Sequence, residues 1–535
     1  MQFNLADLWE CVVDHVPDRE AIVCGPRRLT FQQAEERSNR LAHALAARGI
    51  GKDDRVGLYL YNGSEYVEGS LAAHKIRAVP INVNYRYVEE ELRYLFKDAG
   101  LKALVFHREF APKIAAVKDE FPGLSVFLHV EDGSSADVSP MGSTEYEAAL
   151  AAASPARDFA ERSADDLYVL YTGGTTGMPK GVMWRQEDLF MAALGGGNIG
   201  GPPLTKPEEI GPKSNSRPQF IMIPAAPLMH GSAQWAAFIA LYSGDKIVIP
   251  TGKKFDPDQI WRLVGEEKVN QFALVGDAMA RPLAEQLANN PGKYDTSTLF
   301  VVGSGGAVFS AAVKKQFLDQ LPHAMIFDGF GGSEVGHQGT GTGEGGAPRF
   351  RVDDRTGVFD PETLKPLEPG SGQVGRLGKC GHIPLGYWND PEKTAKTFFT
   401  IGGRRWVLPG DMASIESDGT ITLFGRESVC INSGGEKIFT EEVEAALRSH
   451  DKVFDAIVVG VPDERWGQRV AAVVQARAGD APTLDELVAH CRTKIAGYKV
   501  PRQLHLVPEL VRQPSGKPDF KWAKAIATGE TPPAR

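Results

Sequence analysis

Tyr171-Thr-Gly-Gly-Thr-Thr-Gly-Met-Pro-Lys-Gly181 gathers glycines, hydroxyls and one lysine into a single short run. Gly173, Gly174 and Gly177 let backbone N–H groups approach an anion closely, Thr172, Thr175 and Thr176 add hydroxyl donors, and Lys180 adds a point charge. A glycine cluster alone is more often a surface turn. The residues before it change the reading, because Leu167-Tyr-Val-Leu-Tyr171 is a short apolar run of strand type. A loop leaving the end of a buried strand is where α/β proteins place ligands, so the run reads as a phosphate-gripping loop. It is not a Walker A loop, because the Gly-Lys pairs beginning at Gly51, Gly252, Gly292, Gly378 and Gly516 all lack a following Ser or Thr. A different nucleotide fold is indicated.

Working outward, 535 residues exceed what one hydrophobic core serves, so two or more domains are expected. The net charge of −9 is spread along the chain and no basic stretch resembles a nucleic-acid footprint, which excludes a nucleic-acid partner from the expectation. The start, Met1-Gln-Phe-Asn-Leu-Ala-Asp-Leu-Trp-Glu10, has no basic segment followed by an apolar core, and no run is long enough to span a bilayer. The expectation is a soluble, cytoplasmic protein without stable membrane insertion. Cys11, Cys24, Cys380, Cys430 and Cys491 are far apart, odd in number and lack a C-x-x-C pair, so they read as free thiols. The histidines show no metal-ligand spacing, which leaves a hard ion held by carboxylate and phosphate, hence magnesium.

The first part of the chain alternates helix-type and strand-type segments. Helical stretches are predicted from Leu29-Thr30 to about Arg48, with Thr30 and Gln33 as a capping box, from Ser64 to Lys75, and from Glu89 to Phe96. Extended segments are predicted at Asp54 to Tyr61, Ala78 to Val83 and Lys102 to Phe106. This alternation argues for an α/β fold. Thr205 to Pro218, with three prolines and few apolar residues, reads as an exposed loop or lid. After Gly425 a small α+β domain is expected, with helices at Thr440 to Arg448 and Thr483 to Ile495, strands near Asp455 to Val461 and Arg469 to Gln475, and a frayed tail from Thr528. The expected division is 1–425 and 426–535.

Four further motifs follow the glycine-rich loop in order. They are Pro227-Leu-Met-His230-Gly, Asp328-Gly-Phe-Gly-Gly-Ser-Glu334, Trp406-Val-Leu-Pro-Gly-Asp411, and the run from Gly425-Arg-Glu-Ser to Gly-Gly-Glu-Lys-Ile438, followed by Glu441-Glu-Val-Glu444. A lone lysine closes the set in Pro514-Ser-Gly-Lys517. The ordered set resembles the adenylate-forming superfamily of acyl-CoA synthetases, firefly luciferases and peptide-synthetase adenylation domains, from about residue 20 to residue 525. The resemblance implies a large N-terminal α/β domain and a small mobile C-terminal domain. It implies a reaction in which a carboxylate attacks the α-phosphate of ATP, giving acyl-adenylate and pyrophosphate, and a thiol then displaces AMP. ATP, CoA and Mg2+ are the implied cofactors, with a small-molecule carboxylic acid as substrate; a homodimer is left open.

The same resemblance assigns roles. Lys517 matches the lysine that bridges carboxylate and phosphate oxygens, Glu334 the acidic residue that holds magnesium, with Thr176, and His230 a residue lining the acyl pocket. The glycine-rich loop with Lys180 grips phosphate, while Gly305, Gly306 and Ala307 of Gly303-Ser-Gly-Gly-Ala307 pack against adenine and the acyl group. Asp328, Gly329, Phe330, Gly331 and Ser333 form the adenine-side motif; Phe330 stands where tyrosine is common, keeping the π-face and losing the phenol. Asp411 matches the aspartate that accepts both ribose hydroxyls, and Arg426 a ribose and phosphate contact. Ser428 occupies the hinge position, where many relatives carry aspartate or lysine. Gly434 and Gly435 match the pantetheine tunnel, and Lys437 and Lys499 are candidates for the phosphates of CoA. Gly341-Thr-Gly-Glu-Gly-Gly346 fits G-x-G-x-x-G but shows no preceding strand or following helix, and is set aside.

No carrier domain follows Lys517, so free CoA is the expected acceptor. Val83-Asn-Tyr-Arg-Tyr87, Gly276-Asp-Ala-Met-Ala-Arg-Pro282, Ser428-Val-Cys-Ile-Asn-Ser-Gly-Gly-Glu-Lys437 and Ile495-Ala-Gly-Tyr-Lys-Val-Pro501 resemble an actinobacterial branch of ligases for steroid side-chain acids and fatty acids. The implied substrate is a large apolar carboxylate, with Gly195 to Gly201 as a roomy wall. The alternatives are a medium- or short-chain acid ligase, or a luciferase-like oxygenase sharing the first step. A non-catalytic nucleotide sensor would be expected to lose Lys517 or Glu334, and both are present.

Overall fold

The computed structural model describes residues 1–172, 178–342, 349–433, 436–479, 481–513 and 516–532. Helix α1 (Leu5–His15) is started by Asn4, whose side chain accepts the Ala6 N–H, and it buries Leu5, Leu8, Trp9, Val12 and Val13. Helix α2 (Phe31–Ala46) has the expected capping box: Gln33 N–H donates to Thr30 Oγ1 and Thr30 N–H to Gln33 Oε1. Helix α3 (Ser64–Lys75) is buried all round. Beside these helices lies a parallel sheet of Val79–Asn82, Arg55–Tyr59, Ala103–His107, Val126–Val130 and Thr144–Glu145. The strands at 55–59, 79–82 and 103–107 fall where apolar runs placed them, and their both-sided burial explains why they read as continuous hydrophobic stretches.

Strand β1 (Leu167–Thr172) precedes the glycine-rich run as expected, and it pairs antiparallel with β2 (Lys180–Arg185) in a three-stranded sheet, with Thr172 opposite Lys180. An apolar run states that a strand is buried and says nothing of its partner's direction. One expectation is corrected here: the Thr205–Pro218 segment is exposed over much of its length but is not a plain loop. It contains the short helix Ile210–Ser214, with Ile210, Gly211 and Ser214 buried, and Gly211 sits where a Cβ would come within 2.3 Å of His15 Nδ1 on α1. Pro207 opens a helical turn, a position where its missing N–H loses no bond.

The second sheet carries the site. Strand β3 (Ile221–Pro224) is followed by α4 (Gly231–Tyr242), β4 (Gln271–Leu274) by α5 (Gly276–Asn289), and then come β5 (Val301–Gly305) and β6 (Met325–Gly332). These four strands lie side by side and parallel, in register Met222, Gln271, Val301, Met325 and again Pro224, Ala273, Gly303, Phe327. At β6 the chain turns back antiparallel into β7 (Gly336–Gly341). A strand thus precedes Gly341 after all, yet the next described element is another strand, Arg349–Val352, and residues 343–348 lie outside the described set. Further along the same sheet, β8 (Asp411–Ile415) pairs antiparallel with β9 (Ile421–Arg426).

The C-terminal domain is α+β. Helix α6 (Thr440–Arg448) and the long hairpin β10 (Val453–Asp463) and β11 (Gly467–Ala476) build its frame, and α7 (Phe520–Thr528) covers the other face. Thr483 caps the helix Leu484–Arg492 by a capping box with Glu486, close to the predicted start. The domain rests on α5: the Arg281 guanidinium lies 5.4 Å from the Phe454 ring centroid, and a Cβ on Gly516 would be 3.3 Å from Val275 Cγ1. Among the described residues no helix is long and apolar enough to cross a membrane.

Candidate active site

A cavity of about 1470 Å³ opens between the C-terminal ends of β4, β5 and β6, helix α4 and the loop that carries Lys517. Parallel strands leave such a crevice at their carboxyl ends. Gly303, Gly305, Gly306, Gly329, Phe330, Gly331 and Ser333 all line it, as do Thr172 and His230. Gly331 has no alternative here, since a Cβ would come within 2.1 Å of the Gly336 carbonyl oxygen at the irregular turn of register between β6 and β7. Ala307 and Asp328 are not among the lining residues. Asp328 instead forms an ion pair with Lys314, and burial pushes its carboxyl up. Its neighbour Gly329 lines the cavity in its stead.

Four charged groups converge behind this glycine floor. Asp411 and Arg426 stand opposite each other on β8 and β9 and form an ion pair at 3.3 Å, which holds the guanidinium well above its ordinary value. Glu334 is buried, and its Oε1 accepts the Tyr387 hydroxyl at 3.0 Å. Lys517 faces this group from the C-terminal domain. The protein atoms packed around it lower its pKa and the Arg426 cation lowers it further, while Glu334 and Asp411 act in the opposite sense. Its side chain is exposed to the cavity, and among the described residues no carboxylate lies within ion-pair distance. A cation placed in this way is set to receive an anion from the cavity.

His230 stands at the start of α4, where Pro227 accepts its backbone N–H. Its ring Nε2 is buried without a hydrogen-bond partner, and burial, aided by Lys517 and Arg86, pushes its pKa down to about 4. The imidazole is therefore neutral near pH 7, with an unsatisfied nitrogen beside the lysine. On β2, Lys180 lies 3.5 Å from Asp390, and burial together with the Lys180 ammonium pushes Lys393 down to about 8.

Gly173, Gly174, Thr175, Thr176, Gly177, Gly434 and Gly435 lie outside the described residues. Lys437 is exposed on the strand Glu436–Ile438 and does not line the cavity. Lys499 is neutralised by Glu442, which takes both contacts at 2.7 and 2.8 Å. Sequence reading missed Tyr387, Lys393 and the cavity-facing Gln513 and Lys521. Tyr387 carries no local signal, because it reaches Glu334 only through the pairing of Gly386–Tyr387 with β2.

Residues 9–382 match the family described as AMP-binding enzyme, and residues 442–517 match the AMP-binding enzyme C-terminal domain. The chain belongs to the AMP-binding enzyme family. It is 49% identical over 534 residues to a 3-oxocholest-4-en-26-oate--CoA ligase of Rhodococcus rhodochrous, covering 98% of this chain and 96% of that one. A medium/long-chain-fatty-acid--CoA/3-oxocholest-4-en-26-oate--CoA ligase of Mycobacterium tuberculosis is 49% identical over 97% of this chain and 95% of its own. Among solved structures, ATP-bound MatB from Rhodopseudomonas palustris superposes with a TM-score of 0.81 at 25% identity, covering 97% of this chain and 98% of that one. For this member of the family, the ordered motifs and the fold agree.

Proposed function

We propose that this family member is an AMP-forming acyl-CoA ligase that joins a large apolar carboxylic acid, a steroid side-chain acid or a fatty acid, to CoA at the expense of ATP. The observation that carries the reading is Lys517: a cavity-facing cation with no ion pair among the described residues, beside the unsatisfied His230 Nε2 and the Asp411–Arg426 pair. The names of the relatives at 49% identity favour this ligase over a luciferase-like oxygenase.

In the first step the acid's carboxylate oxygen forms a bond to the α-phosphorus while the bond to the β,γ-diphosphate breaks. Two anions must meet, so the positive charge of Lys517 spans carboxylate and phosphate as charge builds in the transition state. The neutral His230 ring, with its proton on Nε2, would donate to the reacting oxygens without adding charge. Asp411, with two carboxylate oxygens, takes the ribose hydroxyls, and Arg426 keeps that carboxylate ionised and oriented. In the second step the CoA sulfur bonds to the acyl carbon as the bond to the phosphate oxygen of AMP breaks, and the thiol proton passes to solvent.

The residues present fit magnesium. Tyr387 occupies Oε1 of Glu334, Oε2 has no hydrogen bond among the described residues, and no cluster of three or more His, Cys, Asp or Glu side chains forms a cage. One carboxylate plus substrate phosphates is the donor set that Mg2+ favours, and the bound ion would neutralise phosphate charge. Between the steps the C-terminal domain, residues 426–535, would rotate on Ser428, which is exposed in the short turn Glu427–Val429, and bring the Gly434–Lys437 segment toward the thiol. ATP and CoA as co-substrates suit a cytoplasmic location.

The test is pyrophosphate and AMP release with Mg-ATP and CoA across linear fatty acids, from short to long, and steroid side-chain acids. Turnover that requires CoA and favours the large acids is expected. Turnover confined to short acids, or release only with an added carrier protein, overturns the proposal.

A further inference from the structure

The far end of the cavity carries polar side chains among its apolar ones. One wall is the face of the parallel strands, where Gly305 and Gly329 form the rung nearest the chemistry, Ala273, Gly303 and Phe327 the next, and Met222, Gln271, Val301 and Met325 the farthest. From Val301 to Gly305 that face runs about 13 Å. The other wall is a single stripe of α4, from Ser232 through Trp235, Ala236, Ile239 and Ala240 to Ser243 at the helix end. At 1.5 Å per residue this stripe runs roughly 16 Å. In the middle rung Ala273 and Gly303 present hardly any side chain, so the slot is flat there, with the half-exposed Phe327 ring beside it. A flat slot of this length suits fused rings better than a flexible chain.

Gln271 opens β4 and Ser243 ends α4, so the two stand on either side of β3 at the far end of the slot. Both line the cavity, and neither side chain has a hydrogen-bond partner among the described residues. The other polar groups at that end are committed to each other: Arg217 binds Asp245 at 2.9 and 2.7 Å, and Asp245 also accepts the Phe220 N–H at 2.8 Å. A purely hydrocarbon substrate would displace water from the carboxamide and hydroxyl and return nothing to them. A ring carbonyl would accept from Gln271 Nε2 and Ser243 Oγ.

We propose that Gln271, assisted by Ser243, recognises an oxygen on the ring farthest from the carboxylate, and so selects ring-oxygenated steroid side-chain acids over unsubstituted acids of the same length. The inference rests on the acyl-CoA ligase reading above.

The experiment measures kcat/KM for pyrophosphate release by the full chain with 3-oxocholest-4-en-26-oate, its 3-deoxy counterpart cholest-4-en-26-oate, and palmitate. Wild type is expected to prefer the 3-oxo acid over the 3-deoxy acid by about tenfold, the worth of one hydrogen bond. Gln271→Leu should bring that ratio close to one, and Ser243→Ala should lower it part of the way. Because the readout is a ratio within one preparation, loss of folded enzyme cancels. A wild-type ratio near one, or a ratio unchanged in Gln271→Leu, overturns the inference. So does refusal of both steroid acids with palmitate still turned over, an outcome that leaves the ligase reading standing. No release with any acid removes the ligase reading and the inference with it.

Discussion

Two lysines, Lys75 and Lys517, both stand among charged groups, and they differ in what answers their charge. Lys75 on α3 is fully buried and donates to Glu10 at 2.6 Å and Glu35 at 2.9 Å, carboxylates that Arg162 and Arg157 also bind. Lys517 faces Arg426, Glu334 and Asp411 with no ion pair of its own among the described residues and with the cavity in front of it. The first network is complete within the chain, so it fixes how α1, α2 and α3 pack. The second lacks an anion, which is what a substrate brings. A buried charge that the fold already satisfies is structural, and a charge that faces a cavity without a partner points to a ligand.

Removing each lysine separates the two cases. Lys75→Ala leaves two carboxylates facing one another in the interior, and a loss of about 3–5 kcal/mol is expected, read as a large fall in Tm, with kcat of the surviving folded enzyme nearly unchanged. Lys517→Ala should do the reverse: pyrophosphate release falls about 10²–10³-fold while Tm holds, and thioester formation from supplied acyl-adenylate is largely spared. An equal loss in both half-reactions would remove Lys517 from the first step. Asp411→Ala leaves Arg426 unpaired and deletes the ribose acceptor, so KM for ATP should rise about tenfold or more; an unchanged KM removes that assignment.

The smallest effect comes from a mirror image of Lys517. Glu441 on α6 is a carboxyl pressed against Gly425, where among the described residues its one side-chain partner is the Thr440 hydroxyl at 3.1 Å. Burial, with Glu444 and Asp411 nearby, pushes its pKa up to about 7. A carboxyl raised on folding stabilises the fold fully below its ordinary value near 4.5, and that contribution is lost as pH rises through about 7. Glu441→Gln should therefore raise the C-terminal domain's stability at pH 8 by about 1–2 kcal/mol, a few degrees in Tm, and change little at pH 4.5. A gain of the same size at both pH values would show that packing, not charge, is responsible.

Local features were the legible ones. The Thr30–Gln33 and Thr483–Glu486 capping boxes lie within a single turn, so the sequence states them directly. Lys517, Asp411 and Arg426 were legible as members of an ordered set of motifs, although each alone reads as an ordinary surface residue. Pairing direction was not legible: β1 looks the same whether its neighbour is parallel or antiparallel. The turn at Ile210 was hidden because prolines mark both loops and helix starts. Tyr387 and Gln271 were invisible for a different reason, since their places beside Glu334 and at the cavity's far end depend on strand pairings that join distant parts of the chain.

The single stripe of α4 gives this architecture an evolutionary handle. Ala236 and Ala240 are the small residues of that stripe, one turn apart, about 5.4 Å along the slot. Enlarging Ala240 would shorten the usable depth by roughly one turn counted from Ser243, and enlarging Ala236 by roughly two. Neither change touches Lys517, Glu334, Asp411 or Arg426. Descendants of one ancestor could thus diverge in the length of acid they accept through single substitutions on one helix, while the machinery that makes the adenylate is inherited intact.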